Sequence, residues 1–240
     1  PAALGKSFDI ALSVPPLLIS AAAEGIGIQE VAGATLNTRD NPQTFLVAPE
    51  GSDIKTVKDL EGKTLGVQTI TGSTHLGTKM WLQKEGVPED SVKIVQVDGP
   101  AQADQLKSGR IDAVETLAPF STTILKLGES IIDPQAAIAP EVSGIFWTAS
   151  PNWVSDNEEA LDCYREGLDK AADFIENDEE AAKEVLKEQS GLPDDIVAET
   201  VLPTYTSDVR PDDLQKWLDA MKEVGGFEGD VDVDSLTNAG

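Results

Sequence analysis

Ten residues, Gly66-Val67-Gln68-Thr69-Ile70-Thr71-Gly72-Ser73-Thr74-His75, bring glycines, four hydroxyls and the chain's single histidine together. A short strand that runs into such a turn at the start of a helix can hold an anion. The free N–H groups and dipole of the helix N-terminus attract negative charge. Ser73 and Thr74 add hydroxyl donors, and Gly72 lets an anion approach the backbone. The spacing is neither a Walker motif, for lack of the Lys-Ser/Thr step, nor Gly-x-Gly-x-x-Gly, so nucleotide chemistry is not indicated. Read locally, the same residues also make a plain helix cap by Thr71 or Ser73. His75 lies two residues after Ser73, and such positions on a helix do not face each other, so a Ser–His couple is poor geometry. No Gly-x-Ser-x-Gly elbow exists either. His75 can still donate to an anion from the helix start, or be a partly exposed side chain. Glu115 follows Ala113-Val114 at a strand end. Its carboxylate can meet a ligand amine or hydroxyl in a cleft, or be an ordinary surface acid.

Other acidic and sulfur groups carry less. The pairs Glu158-Glu159, Glu179-Glu180, Asp194-Asp195 and Asp212-Asp213 stand at helix starts, where they complement the dipole. Asp230-x-Asp232-x-Asp234 lacks the later Gly and Glu of a calcium loop. Cys163 is alone, which excludes an intrachain disulfide and a cysteine-rich zinc site. One histidine excludes a site needing two imidazoles. No metal and no cofactor is expected.

The charge points the same way. A net charge of −25 with no Lys/Arg cluster repels phosphate backbones and anionic lipid, so neither nucleic acid nor a membrane surface is an expected partner. The longest nearly apolar run, Ile10 to Ala23, contains Pro15-Pro16 and is shorter than the ~20 residues a bilayer span needs. The opening Pro1-Ala2-Ala3-Leu4 reads as the end of a helix, so an upstream segment is expected.

The elements that must position these groups alternate. Strands are expected at 8–14, 28–36, 45–47, 64–67, 92–95, 111–114 and 131–132. Helices fall between them at about 16–24, 75–85, 101–108 and 119–127, the pattern of βαβ units. After Ser150 helices dominate, at 157–177, 179–189, 193–202 and 211–224. In the first of these, Leu161, Tyr164, Leu168, Ala171, Ala172 and Ile175 fall on one face. The stretch from Phe227 reads as irregular.

Two strand–helix units correspond. Asp9 and Asp112 begin a strand, Ser13 and Thr116 end it, and Pro16 and Pro119 open the next helix, 103 residues apart. Two lobes of like construction, each ending a strand at a shared cleft, would place Ser13 and Thr116 there, beyond the carboxyl ends of the strands. Chance similarity of two such units is the alternative. Phe146 and Trp147 stand where alternation gives way to helices, in a core strand or in a crossing between lobes with Trp147 near the cleft.

The order of these pieces resembles a family. Asp9-Ile10-Ala11 with Pro16-Leu17-Leu18-Ile19, then Val57-Lys58-Asp59-Leu60-Glu61-Gly62-Lys63-Thr64-Leu65-Gly66-Val67 and Gly72-Ser73-Thr74, are followed by Leu106-Lys107-Ser108-Gly109-Arg110-Ile111-Asp112-Ala113-Val114-Glu115 and a helical tail with Phe174-Ile175-Glu176-Asn177-Asp178. This resembles the periplasmic substrate-binding proteins of ABC importers, in the nitrate/sulfonate/taurine/thiamine-pyrimidine group. The resemblance spans residues 1–225.

It implies an α/β, two-lobed periplasmic-binding-protein fold (type II). Each lobe is a mostly parallel sheet flanked by helices, with two crossover hinge strands near Phe45–Ala48 and Phe146–Ala149. Residues 1–44 plus 149–240 would form lobe one, lacking its first strand–helix unit, and residues 48–145 lobe two. By the same resemblance Ser13, Val14 and Asn37 line the cleft from lobe one. Thr71, Gly72, Ser73, Thr74 and His75 are the anion cradle, and Glu115 and Thr116 lie opposite. A Trp-Glu-Pro-like stretch of the family is replaced here by Leu117-Ala118-Pro119, which puts ligand identity in play.

The function so implied is not enzymatic. It is capture of a small organic anion, such as an aliphatic sulfonate or taurine, for a membrane permease. The protein would be a monomer, periplasmic or extracytoplasmic, lipid-anchored in its precursor. Two readings compete within the fold: a pyrimidine or aromatic-acid binder stacking its ligand near Phe120 or Trp147, and an enzyme of thiamine-pyrimidine synthesis, which the lone Cys and His disfavour. A ligand-sensing domain of a regulator would need an attached segment.

Overall fold

A computed structural model of the chain describes residues 7–238, so the helix end read at Pro1–Leu4 lies outside the described residues. The first alternating units give strand β1 (Ile10–Ser13), helix α1 (Pro15–Ala23), and strands β2 (Gln29–Thr38) and β3 (Thr44–Pro49). Pro15 and Pro16 occupy the first turn of α1, where the missing N–H costs nothing. Then follow β4 (Thr64–Val67), α2 (Ser73–Glu85), β5 (Lys93–Gln96), α3 (Gly99–Lys107), β6 (Ala113–Leu117), α4 (Phe120–Ile124), β7 (Gly128–Ile132) and β8 (Glu141–Ala149). α2 stops at Gly86, which takes the left-handed conformation at φ 74° that a side chain would disfavour. The tail contains α5 (Pro151–Asp156), α6 (Glu158–Asn177), α7 (Glu179–Ser190), α8 (Asp194–Glu199), the two-residue β9 (Thr204–Tyr205) and α9 (Pro211–Val224).

The strands form two sheets, ordered β1-β8-β2-β9 and β5-β4-β6-β3-β7. The α/β class and two-sheet plan are as expected; the internal directions differ. In the four-stranded sheet all three neighbouring pairs are antiparallel, because β8 returns between β1 and β2, which run parallel to each other. In the five-stranded sheet β5, β4 and β6 are parallel, β3 runs against them, and β7, antiparallel to β3, again shares their direction, so four of the five strands point one way as expected.

The chain changes sheets away from the expected crossings. Phe45 to Ala48 lie inside β3, where they pair with β6 or β7. Phe146 to Ala149 lie inside β8, paired with both β1 and β2. The changeovers are residues 39–43 and 133–140. The physical reason is burial: Val142 anchors the start of β8 in the same core as Phe146, while Ala149 packs into a second cluster with Val31 and Leu161, so the strand begins earlier than the apolar run alone suggests.

That core lies under the four-stranded sheet. It joins Leu18 and Ile19 of α1, Phe146 of β8 and Leu214, Trp217 and Leu218 of α9. Val233 and Leu236, on a short 3-10 turn (Val233–Leu236), close it, so part of the stretch read as irregular is ordered by packing. The five-stranded sheet has a separate core on each face, around Leu46, Leu65 and Leu82 on one and Val47, Ile111 and Val114 on the other. α2 serves both halves: Leu76 packs into the first core and Leu82 into the second. The expected inner face of α6 is less enclosed, with Leu161 its only fully buried side chain and Ala171 exposed. Among the described residues no helix is long and apolar enough to cross a membrane.

Candidate functional site

A cleft of about 440 Å³ opens between the two sheets. It is lined by Val14 after β1, Asn37 of β2 and Ile145 of β8 on one side, and by Thr71, Gly72, Ser73 and Thr74 at the start of α2 on the other. Seven of the ten residues expected at the site border it: Val14, Asn37, Thr71, Gly72, Ser73, Thr74 and Glu115. The remaining three, Ser13, His75 and Thr116, are buried and are not in its wall. The two corresponding strand–helix units do meet here. Val14 and Leu117, the residues after Ser13 and Thr116, both line the cleft, one from each sheet.

The local chemistry follows from the cap of α2. Gly72 is the N-cap and makes no side-chain cap; neither Thr71 nor Ser73 caps the helix. The first N–H groups of a thirteen-residue helix therefore have no side-chain acceptor, and the dipole adds to their pull on an anion. The hydroxyls of Thr69, Thr71, Ser73 and Thr74 and the amides of Gln43, Gln68 and Gln135 share the wall. Among the described residues no lysine or arginine lines it, so the described donors available to an anion here are neutral. Val14, Leu17, Leu117 and Ile145 form an apolar portion of the wall.

His75 and Glu115 act on each other. His75 Nδ1 lies 2.8 Å from Glu115 Oε1, with both side chains almost fully buried. The imidazole is thus turned to Glu115 and away from the position of an anion donor in the cleft wall. The backbone carbonyl of Glu115 accepts from Gln102 Nε2 at 2.8 Å, which ties α3 to the same strand. His75 Nε2, Gln102 Oε1, Ser13 Oγ and Thr116 Oγ1 are buried with no hydrogen-bond partner among the described protein atoms. No cluster of three metal-ligating side chains occurs among the described residues.

The aromatic candidates lie elsewhere. Trp147 packs edge-on against Tyr164 of α6 with ring centroids 5.5 Å apart, in a core away from the cleft. The Phe120 ring lies against Gly99 of α3. Neither side chain is in the cleft wall, so stacking of a flat ligand on either has no support in this arrangement.

Sequence reasoning missed Leu17, Gln43, Thr44, Gln135, Gly144 and Ile145 in the wall. Gln43 stands in the first changeover and Gln135 in the second, so both depend on where the chain switches sheets. The segment around Gln135 is firmly held. Asp133 Oδ2 accepts from Asn37 Nδ2 at 2.7 Å, and its Oδ1 accepts from Thr44 Oγ1 at 2.6 Å. The indole Nε1 of Trp81 donates to the Asp133 carbonyl at 3.0 Å.

Residues 2–182 match the family described as NMT1/THI5 like. The chain belongs to this family. Among curated relatives, an ATP phosphoribosyltransferase of Chlorobium phaeovibrioides is 27% identical over 53% of this chain and 46% of its own length. A proposed thiamine biosynthesis protein of Haemophilus influenzae is 25% identical over 72% of this chain and 54% of its own. The NMT1/THI5-like chain thus spans about half the length of these relatives. In three dimensions it is similar to the periplasmic aliphatic sulphonate binding protein SsuA from Escherichia coli, with a TM-score of 0.81 at 20% identity, covering 98% of this chain and 81% of that one. At that identity the likeness shows the periplasmic-binding-protein fold.

Proposed function

We propose that this NMT1/THI5-like chain is the solute-binding component of an ABC importer. It takes a small organic anion, such as an aliphatic sulfonate or taurine, in the cleft between its sheets and delivers it to a membrane permease. One observation carries the reading: the uncapped start of α2, with Ser73 and Thr74, faces an apolar wall across a cleft of about 440 Å³. The N–H groups and hydroxyls suit the anionic head, and Val14, Leu17 and Ile145 suit a short carbon tail. An inorganic oxyanion would leave that apolar wall unused. The net charge of −25 does not forbid an anion. Distant charges are screened over about 8 Å at physiological salt, whereas donors in the wall act at contact.

Ser13, Val14, Asn37, Thr71, Gly72, Ser73, Thr74, His75, Glu115 and Thr116 divide accordingly. The cleft-lining seven would meet ligand, while His75, Ser13 and Thr116 would support them from behind. Lobe one would be the four-stranded half and lobe two the five-stranded half, closing by hinge motion at residues 39–43 and 133–140. The protein would work as a monomer in the periplasm or an equivalent extracytoplasmic space, lipid-anchored in its precursor. The structural relative named for sulphonate binding supports this reading over enzymatic turnover.

The test is calorimetric titration of the chain with ethanesulfonate and taurine. Wild type should bind at least one of them, and replacing Ser73 and Thr74 together by Ala should weaken that binding at least ~10-fold, as expected for loss of hydrogen bonds to a charged group. Unchanged affinity in the double variant removes the cradle. No heat with either ligand, together with turnover of an offered phosphorylated pyridoxal, would favour the biosynthetic enzyme.

A further inference from the structure

We infer that Gln135 is a positioning residue of the cleft, which sets the direction of the Ser73 hydroxyl and so makes it a donor to the ligand. Gln135 Nε2 donates to Ser73 Oγ at 3.2 Å, and both side chains are buried, at 4% and 6% exposure. A hydroxyl has one proton to give. With one lone pair of Ser73 Oγ engaged by the amide, its proton is free to turn into the cleft, and the incoming hydrogen bond polarises it further. An acceptor-only head group, such as a sulfonate, benefits from that orientation; a ligand amine does not.

The amide is held in place from both directions. The backbone N–H of Gln135 donates to Asp133 Oδ1 at 3.0 Å, on the carboxylate already fixed by Asn37 and Thr44. On the other side the amide occupies the space that a side chain at Gly144 would need: a Cβ there would stand 2.6 Å from Oε1 and 3.0 Å from Nε2. Gly144 belongs to β8 of the four-stranded sheet and Ser73 to α2, so Gln135 spans the cleft's two walls from the second changeover.

The inference rests on the anion-binding reading above, and one experiment separates the two. Ethanesulfonate is titrated into wild type, Ser73→Ala, Gln135→Leu and the double variant, with a thermal melt of each. Ser73→Ala should weaken binding ~10-fold, Gln135→Leu ~5-fold, and the double variant no more than Ser73→Ala alone, since residues acting through one contact do not add. Gly144→Ala, which displaces the amide without removing it, should copy Gln135→Leu and be silent in its background. Gln135→Glu supplies a carboxylate that accepts a hydrogen bond from the Ser73 hydroxyl, turning it from the ligand, and adds negative charge to the wall, so it should weaken binding more than Gln135→Leu. If wild type binds and the losses multiply in the double variant, the positioning role is overturned while the anion reading stands. If wild type binds neither ethanesulfonate nor taurine, both fall; if it binds taurine alone, the same variants are titrated with taurine and the same outcomes decide.

Discussion

The two halves of the molecule are held together by different means. The five-stranded half is built from one continuous stretch, residues 44–132, and its two cores are aliphatic, with Leu46, Leu60, Leu65, Val47 and Val114 fully buried. The four-stranded half is assembled from segments before residue 39 and after residue 140, and it buries charge. Glu30 and Asp213 are only 1% and 2% exposed. Asp213 accepts from Arg210 Nε at 2.6 Å, Lys216 Nζ at 2.7 Å and the Ser143 N–H at 2.9 Å. Arg165 of α6 donates to the Val31 carbonyl at 2.8 Å and reaches Asn238. Apolar contact is non-directional and suits neighbours in sequence. Segments far apart in the chain are brought into register here by directional, charged contacts added to the apolar core around Trp217, and buried Glu30 gives this half a strong response to pH.

The largest effect should come from emptying each core separately. Trp217 is fully buried and donates its indole N–H to the Ser143 carbonyl at 2.8 Å. Trp217→Ala should cost ~3–5 kcal/mol and Leu65→Ala ~2–5 kcal/mol. In hydrogen exchange, Trp217→Ala should expose amides of β2 and β8 while β4 and β6 keep their protection, and Leu65→Ala should do the reverse. Equal loss across both sheets in either variant would show that the two halves unfold as one cooperative unit.

The next effect is a pH dependence centred on Glu30 in the four-stranded half. Burial pushes the Glu30 carboxyl up to about 8, the Arg210 backbone N–H pulls it down, the Asp213 charge adds to the rise and the Arg210 charge opposes it. The unfolded chain loses this proton near the ordinary value of 4.5, whereas the folded one keeps it to about 8. The unfolded state therefore binds fewer protons between those values, and stability falls as pH rises through that window. Glu30→Gln should remove a loss on the order of 5 kcal/mol across it and flatten the melting temperature against pH. Asp213 has the opposite sign. Burial alone would raise its carboxyl, but Lys216, the Ser143 N–H and Arg210 together hold it below the ordinary value. Its contribution is present above the unfolded value and is lost as pH falls below it. An unchanged pH profile in Glu30→Gln would show that the buried Glu30 carboxyl does not set the pH response of the four-stranded half.

Much of this division was legible in the sequence. β4 and α9 lie where the apolar spacing and the Pro211 start put them, and α2 begins only two residues before its expected start. The correspondence expected Ser13 and Thr116 at the cleft; both are buried behind it, and the residues that follow them, Val14 and Leu117, line it instead. What the sequence did not show depends on distant pairing. The direction of β8 is fixed by lying between β1 and β2, and nothing local in Glu141–Ala149 encodes that. The partner of His75 is Glu115, 40 residues away, so an imidazole read as facing solvent or anion proved to face a buried carboxylate. Gln135 meets Ser73 across 62 residues, from a segment with no helix or strand signal.

The seam between the halves offers the finest probe. Gly77 lies on α2 where a Cβ would stand 2.3 Å from the Pro134 carbonyl oxygen and 3.2 Å from the Gln135 nitrogen. These are backbone atoms, and Asp133 is clamped by Asn37, Thr44 and Trp81, so the second changeover cannot simply swing aside. Gly77→Ala must therefore push α2 outward, at a cost of ~1–3 kcal/mol typical of overpacking. The same shift draws Ser73 away from Gln135 and Leu76 away from the first core, so ethanesulfonate affinity should fall together with stability. Gly167, in the middle of α6, serves as the control, because a Cβ there would meet nothing within 4 Å. Gly167→Ala should stabilise by ~0.5–1 kcal/mol through helix propensity alone and leave affinity untouched. If Gly77→Ala behaves like Gly167→Ala, α2 is not wedged against the changeover, and the two halves are joined more loosely than their shared helix implies.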